Sequence, residues 1–214
     1  YKMDKQQLIR SIRDYLELSD FKPIGVGAGN VSLERNNERI SISYRKYPGV
    51  YMLPGVIGGF KSFPEVENIL KKYYDKYGIE LQNDTIYTSS RRLDEITEID
   101  IAEPDDIFKV LPQLKVMVFD DILPFFEKYN SILSVNKKIE ELQIDEYSKL
   151  VFSPIHPRIM IIKRLSGASD WVEYSENALG VYEEQSVGKY RTSFAPINRF
   201  LPELYEELKQ MEPL

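Results

Sequence analysis

Apolar residues recur at steps of three and four through residues 4–18, where Leu8, Ile9, Ile12, Tyr15 and Leu16 form one stripe. That spacing predicts an amphipathic helix with a single buried face. Pro23 and Gly25 are expected to end it. The period then changes from helical to alternating. Strands are predicted around residues 31–33, over 39–45 and over 50–57, with Ile40, Ile42 and Tyr44 alternating against Ser41 and Ser43. Asn36-Asn37 supplies a turn between the first two, because Asn tolerates positive φ. This stretch reads as an antiparallel meander with one solvated face.

A second helix is expected to open at Ser62-Phe63-Pro64-Glu65, which combines a capping hydroxyl, a first-turn Pro and a Glu three residues after the Ser. Its apolar face is Val66, Ile69, Leu70, Tyr73, Tyr74 and Tyr77, and Gly78 stands where a left-handed cap is needed. Residues 85–90 favour a further strand. From Pro104 onward the pattern is helical. Ile107, Val110, Leu111, Leu114, Met117, Val118 and Ile122 mark one stripe running to Phe126, which Pro112 and Pro124 must kink or divide. Shorter helices are predicted over 135–142, 158–165 and 170–184, with Gly167 breaking the last two, and a final helix over 197–211.

The order of elements gives an α+β fold: a small antiparallel sheet, made of the N-terminal meander plus at least one further strand, packed with helices and followed by a helical C-terminal half. Because no Gly/Ser- or Pro-rich linker interrupts the 214 residues, one domain over 1–214 is expected. Residues 1–103 would be its helix-plus-sheet part and 104–214 its mainly helical part.

Composition narrows the chemistry. A content of 43% hydrophobic and 29% charged residues is that of an ordinary globular chain. The absence of cysteine removes disulfides, thiolate metal sites and a Cys nucleophile, and fits a reducing, cytoplasmic compartment. The charged, amphipathic opening argues against a secretory signal, and the longest apolar runs are too short to cross a bilayer. A net charge of -6 disfavours nucleic acid as the partner, leaving no expectation of nucleic-acid or membrane binding. No cofactor is implied. Oligomeric state stays open, a homodimer included.

Gly25-Val26-Gly27-Ala28-Gly29-Asn30 could bring backbone N–H groups to a phosphate, but it follows a helix and enters strands, the reverse of a dinucleotide fingerprint. A flexible connection is the plainer reading. His156, the only histidine, lies in Ser153-Pro154-Ile155-His156-Pro157, which reads as a rigid connector before a helix, with no nucleophile elbow beside it. The densest acidic run holds Asp94, Glu95, Glu98, Asp100 and Glu103, followed by Asp105 and Asp106. It reads as a solvated loop and acidic helix start, or as a face that registers a protein partner with a basic surface. Tyr44, Tyr87, Arg91 and Arg92 are the alternative candidates, grouped to hold an anionic ligand in a pocket between sheet and helices.

Asp20-Phe21-Lys22-Pro23-Ile24-Gly25, between the leading helix and the meander, and Ile122-Leu123-Pro124-Phe125-Phe126-Glu127-Lys128-Tyr129 carry a pattern-level resemblance. In these stretches the chain resembles an uncharacterised bacterial domain-of-unknown-function family, some of whose members are regarded as toxin-immunity proteins. The resemblance implies no active-site residue. With no catalytic constellation in the sequence, the expected function is a non-enzymatic protein-binding module, immunity-like in the sense of neutralising a partner. The alternative is a small-molecule-binding protein or enzyme acting on an anionic ligand.

Overall fold

The computed structural model describes residues 5–24, 29–80, 82–90, 92 and 97–214. The chain opens with α1 (Lys5–Tyr15) and continues through β1 (Lys22–Ile24), β2 (Asn30–Arg35), β3 (Glu38–Ser43), β4 (Arg45–Tyr47), β5 (Val50–Leu53) and β6 (Ile57–Lys61). After α2 (Pro64–Tyr77) come β7 (Ile86–Ser89) and β8 (Ile99–Ile101). A 3₁₀ turn at Pro104–Asp106 leads into α3 (Ile107–Val116), a π-helical turn (Met117–Ile122) and α4 (Leu123–Lys128). The remainder is helical: α5 (Ile132–Glu141), α6 (Ile155–Leu165), α7 (Trp171–Gln185), α8 (Arg191–Asn198) and α9 (Leu201–Gln210). The fold is thus α+β with a helical C-terminal half, as the periodicities predict. Its residues divide into two compact units, one of Tyr1–Lys61 with Tyr87–Lys128, the other of Ser62–Ile86 with Tyr129–Leu214.

The first unit is built on a five-stranded sheet in the order β1-β2-β3-β6-β7. Pairing along β1, β2, β3 and β6 is antiparallel, and Asn36, at φ 51°, makes the β2–β3 turn as its sequence predicts. The register sets Leu33 opposite Ile40, and Ile40 opposite Gly59; Val31, Ile42 and Ile57 form the next row. All but Gly59 present side chains that are almost fully buried. Gly59 lets the helices come close: a Cβ there would lie 2.7 Å from Ile122 Cγ2 and 3.3 Å from the Phe126 ring. Lys61 Nζ fixes the end of α4 by donating to Phe126 O at 2.9 Å.

Several strand expectations need correction. The predicted 39–45 strand divides at Tyr44, and the predicted 50–57 strand divides at Pro54-Gly55; β4 and β5 join β8 in a separate three-stranded sheet, while β6 returns to the first. Pro54 has no N–H to give a ladder, so pairing cannot run through it. Nor is the meander's polar face wet throughout, for Ser32 and Ser41 are both buried. β1, across Pro23, and β8, inside the acidic run, were not expected as strands; both are edge strands, where a Pro or a charged side chain is tolerated.

The long helical stripe divides at one place only. Pro112 stays inside α3 on its exposed side, where the displaced carbonyl can turn to water. Pro124 acts differently. Its ring would meet the carbonyl four residues back, and the chain widens just before it, with the Leu123 N–H reaching Val118 O five residues back.

In the second unit, α2 ends at Gly78 with φ 64°, as predicted, but its N-cap is Phe63, without a side-chain cap from Ser62. The Phe63 N–H donates instead to Thr85 Oγ1 at 2.9 Å. α9 docks on α2 through a ladder in which Lys72 and Tyr73 meet Glu207, and Lys76 and Tyr77 meet Glu203. The single helix expected over 197–211 is two, α8 and α9. Pro202 occupies the first turn of the second, where a missing N–H costs nothing.

Candidate functional site

The second unit buries several chemistry-bearing side chains, most of them partnered. Glu67, 4% exposed, and Arg158, fully buried, form a two-pronged pair with both N···O distances 2.8 Å. Thr85 Oγ1 donates to Glu67 at 2.7 Å, and Arg158 also reaches Gln82 O and Phe152 O. Lys163, 2% exposed, holds Asp170 at 2.7 Å. His156 is not in a connector but in the first turn of α6, where Pro157 is tolerated for lack of an intrahelical acceptor. Its Nδ1 lies 2.6 Å from the Tyr174 hydroxyl, and its ring meets Tyr182 edge-on. Burial pushes the imidazole below its ordinary pKa, and burial likewise drives the phenols of Tyr174 and Tyr182 well above theirs. The Tyr74 hydroxyl is buried with no hydrogen-bond partner. These groups form a polar interior.

The first unit shows the opposite arrangement. On α3 and the π-helical turn, Ile107, Val110, Leu114, Met117 and Val118 point into the core, as their spacing requires. Ile122 does so too, but three other apolar residues do not. Phe108 is 53% exposed, Val116 38% and Phe119 43%. With exposed Pro112 they fall at successive turns of one helix face, three to four residues apart. Phe108 is braced by Tyr15 of α1, ring centroids 4.5 Å apart.

Beside this ridge runs an open groove of about 380 Å³, lined by Leu16, Glu17, Lys115, Val116, Phe119 and Asp120. Two local departures from regular backbone shape it. Glu17 has φ 56°, a left-handed conformation that a non-Gly residue adopts at a cost. The π-helical turn carries Phe119 and Asp120. Behind Phe119 and Asp120, Asp121 accepts from Ser90 Oγ at 2.7 Å and from Arg92 Nε at 3.1 Å, which holds the turn to the strand side. Such turns recur at functional sites.

The described part of the acidic run, from Thr97 on, is tied to the same element. Thr97 exchanges two hydrogen bonds with the Gln113 side chain, Thr97 N–H to Oε1 at 2.8 Å and Nε2 to Thr97 O at 3.0 Å, tying the run to α3. Glu98 is paired with Arg45. Asp100, opposite Met52, and Glu103 are exposed. Asp106 is committed to structure: it accepts from the backbone N–H groups of Ala102 and Glu103 and pairs with Lys109 at 2.6 Å. Lys109 first, and those N–H groups after it, lower the Asp106 carboxyl to about 2. Asp94 and Glu95 lie outside the described residues, as does most of the Gly-rich stretch, residues 25–28.

The candidates for an anionic ligand have partners of their own. Tyr44 stands edge-on to Tyr51, with the Lys5 ammonium 6.0 Å from its ring; Tyr87 stacks on Phe60, over which Arg39 sits at 4.2 Å; Arg92 meets Asp121. Arg91 lies outside the described residues. Among the described residues, no group of three or more His, Asp or Glu is placed to hold a metal ion, and no helix is long and apolar enough to cross a membrane.

Sequence reasoning missed Phe108, Val116 and Phe119. The signal was present: they are large apolar residues left over once the buried stripe of the same helix has been assigned. Comparison with models of known protein families, with curated proteins and with solved structures finds no match for this chain.

Proposed function

We propose that the protein is a non-enzymatic binding module that takes a protein partner on the α3 ridge and groove. The observation that carries this reading is the exposed Phe108, Val116 and Phe119 face beside a groove whose other wall is Leu16 and Glu17. Aromatic anchors beside a concave, mixed apolar and charged lining are the composition of an interface centre and rim. Exposed Glu103 and Asp105 at the start of α3 and Glu17 at the groove give the rim an acidic bias. That bias favours a partner with a basic surface, by steering its encounter and rejecting acidic competitors. An immunity-like role, neutralising the partner by covering its working surface, is the form of this function that the sequence resemblance implies.

In-cell photo-cross-linking tests it. A cross-linking residue at position 116 should trap a defined protein that the same residue at position 181, exposed on α7, does not. With that partner purified, Phe108→Asp and Phe119→Asp should each weaken binding at least ~30-fold, the scale of an interface hot spot. Equal trapping at both positions, or unchanged affinity in both variants, would sink the proposal.

A further inference from the structure

The ridge and groove also constrain what shape of partner segment they accept. From Phe108 to Phe119 the face runs eleven residues along the helix, which at 1.5 Å per residue is about 17 Å, or three turns. Both walls of the groove are helical or helix-terminal: the end of α1 on one side, α3 and its π turn on the other. Within a helix the N–H and C=O groups are spent on the helix itself, so this surface offers no ladder for an added strand. Recognition here has to proceed side chain against side chain. The groove itself reaches only from Lys115 to Asp120 along this face, and it is the ridge as a whole that matches the packing of a helix, whose own rows of side chains enter the spaces between those of the wall.

Charge selects among helices. Around the face, Lys109 is neutralised by Asp106, and Asp14 by Arg13. Glu17, Glu103 and Asp105 have no ion-pair partner among the described residues, against Lys115 alone on the basic side. Asp120 is left 58% exposed, with Arg92 3.9 Å away and more closely engaged by Asp121. The face is apolar along its middle and acidic at both ends.

From this we infer that the occupant is a basic amphipathic helix of the partner protein, about three turns long, with an apolar stripe at i, i+3 or i+4, and i+7, flanked by Lys or Arg. The inference rests on the binding-module reading and adds the partner's secondary structure and sign of charge. Leucine-rich stripes laid between helices in this way are a recurrent mode of peptide recognition.

The test uses three synthetic helical peptides and the full chain, followed by fluorescence anisotropy. One peptide carries a Leu stripe with Lys/Arg flanks, the second the same stripe with Glu flanks, and the third the basic composition with the stripe scrambled. The first should bind saturably and at least tenfold tighter than either other. Phe119→Ser should weaken it at least tenfold, Glu17→Lys should weaken it less, and Lys115→Glu should strengthen it. Equal binding of the three peptides, no binding, or indifference to Phe119→Ser would overturn the inference. So would a dimer of the free chain that Phe119→Ser dissociates in sedimentation, which would make a second copy the occupant, or retention on anionic lipid vesicles that depends on Phe119. The two readings fail separately. A cross-linked partner that needs Phe108 and Phe119 but presents a strand or loop removes the helix and leaves the binding module standing.

Discussion

The two units break the usual partition of residues in opposite directions. The second puts charges where apolar groups belong: Glu67, Arg158 and Lys163 are buried. The first puts apolar groups where charges belong: Phe108, Val116 and Phe119 lie open on α3 and its π turn. Either departure, taken alone, would mark a site, because buried polar groups and exposed apolar faces are the informative exceptions. What separates them is satisfaction. Each buried charge has its counterion within hydrogen-bond reach, Glu67 with Arg158 and Lys163 with Asp170. Among the described residues, the exposed ridge has Tyr15 against one end and Leu16 and Glu17 across the groove at the other. A polar group that is fully paired holds the fold together, whereas an apolar face left in water is free energy still to be gained by association.

The sharpest way to break that comparison is to unpair the interior. Arg158→Met leaves the Glu67 carboxylate buried with only the Thr85 hydroxyl, and should cost about 3–5 kcal/mol in chemical denaturation. Glu67→Leu combined with Arg158→Met should recover more than half of the loss, since the pair is replaced by apolar volume and no charge is stranded. A single variant as stable as the parent would mean that the pair is poised for something other than architecture. It would then have to be counted beside the ridge.

The next effect tests whether the ridge has a rigid floor. Gly59→Ala drives a methyl to within 2.7 Å of Ile122 Cγ2, at the last residue of the π-helical turn. Overpacking of this kind should cost about 1–3 kcal/mol. Because the displaced atoms lie in the segment that presents Phe119, partner affinity should fall with stability in this variant. Affinity that survives the loss of stability would show that the ridge does not depend on the sheet beneath it.

How far the sequence reveals these features follows from what each depends on. Helices with a clean apolar stripe were legible: α1, α2 and α3 fall where their periodicity puts them, and Gly78 caps α2 as its position demands. Strand membership was less so, because alternation identifies an extended segment but not its neighbour; Arg45 to Tyr47 continues the alternation of β3 yet pairs in another sheet. The Glu67–Arg158 pair joins residues far apart in sequence, and no local pattern announces it. The acidic run was visible as a cluster, but that Asp106 is consumed by capping while Glu103 stays exposed depends on backbone geometry at the turn. The ridge was legible in principle, as the apolar remainder of a helix whose buried face was already accounted for.

The smallest expected effect is the one that separates the two units most cleanly. Phe119→Ser removes a large side chain that is 43% exposed, so part of its apolar surface is already in water in the folded state. Surface substitutions away from caps, cores and buried networks shift stability by about 0.5 kcal/mol or less. The covered part of the ring adds about 1 kcal/mol to that figure, and its exposed part adds nothing, because it meets water folded and unfolded alike. Denaturation of Phe119→Ser should therefore differ from the parent by only about 1 kcal/mol, well below the loss expected for Arg158→Met, whereas partner affinity falls by at least an order of magnitude. A residue serving the fold cannot give that split, because the free energy lost on removing it would appear in unfolding first. If Phe119→Ser unfolds the chain as readily as Arg158→Met does, the ring is a misplaced part of the core, and the distinction between paired charges inside and unpaired apolar groups outside collapses.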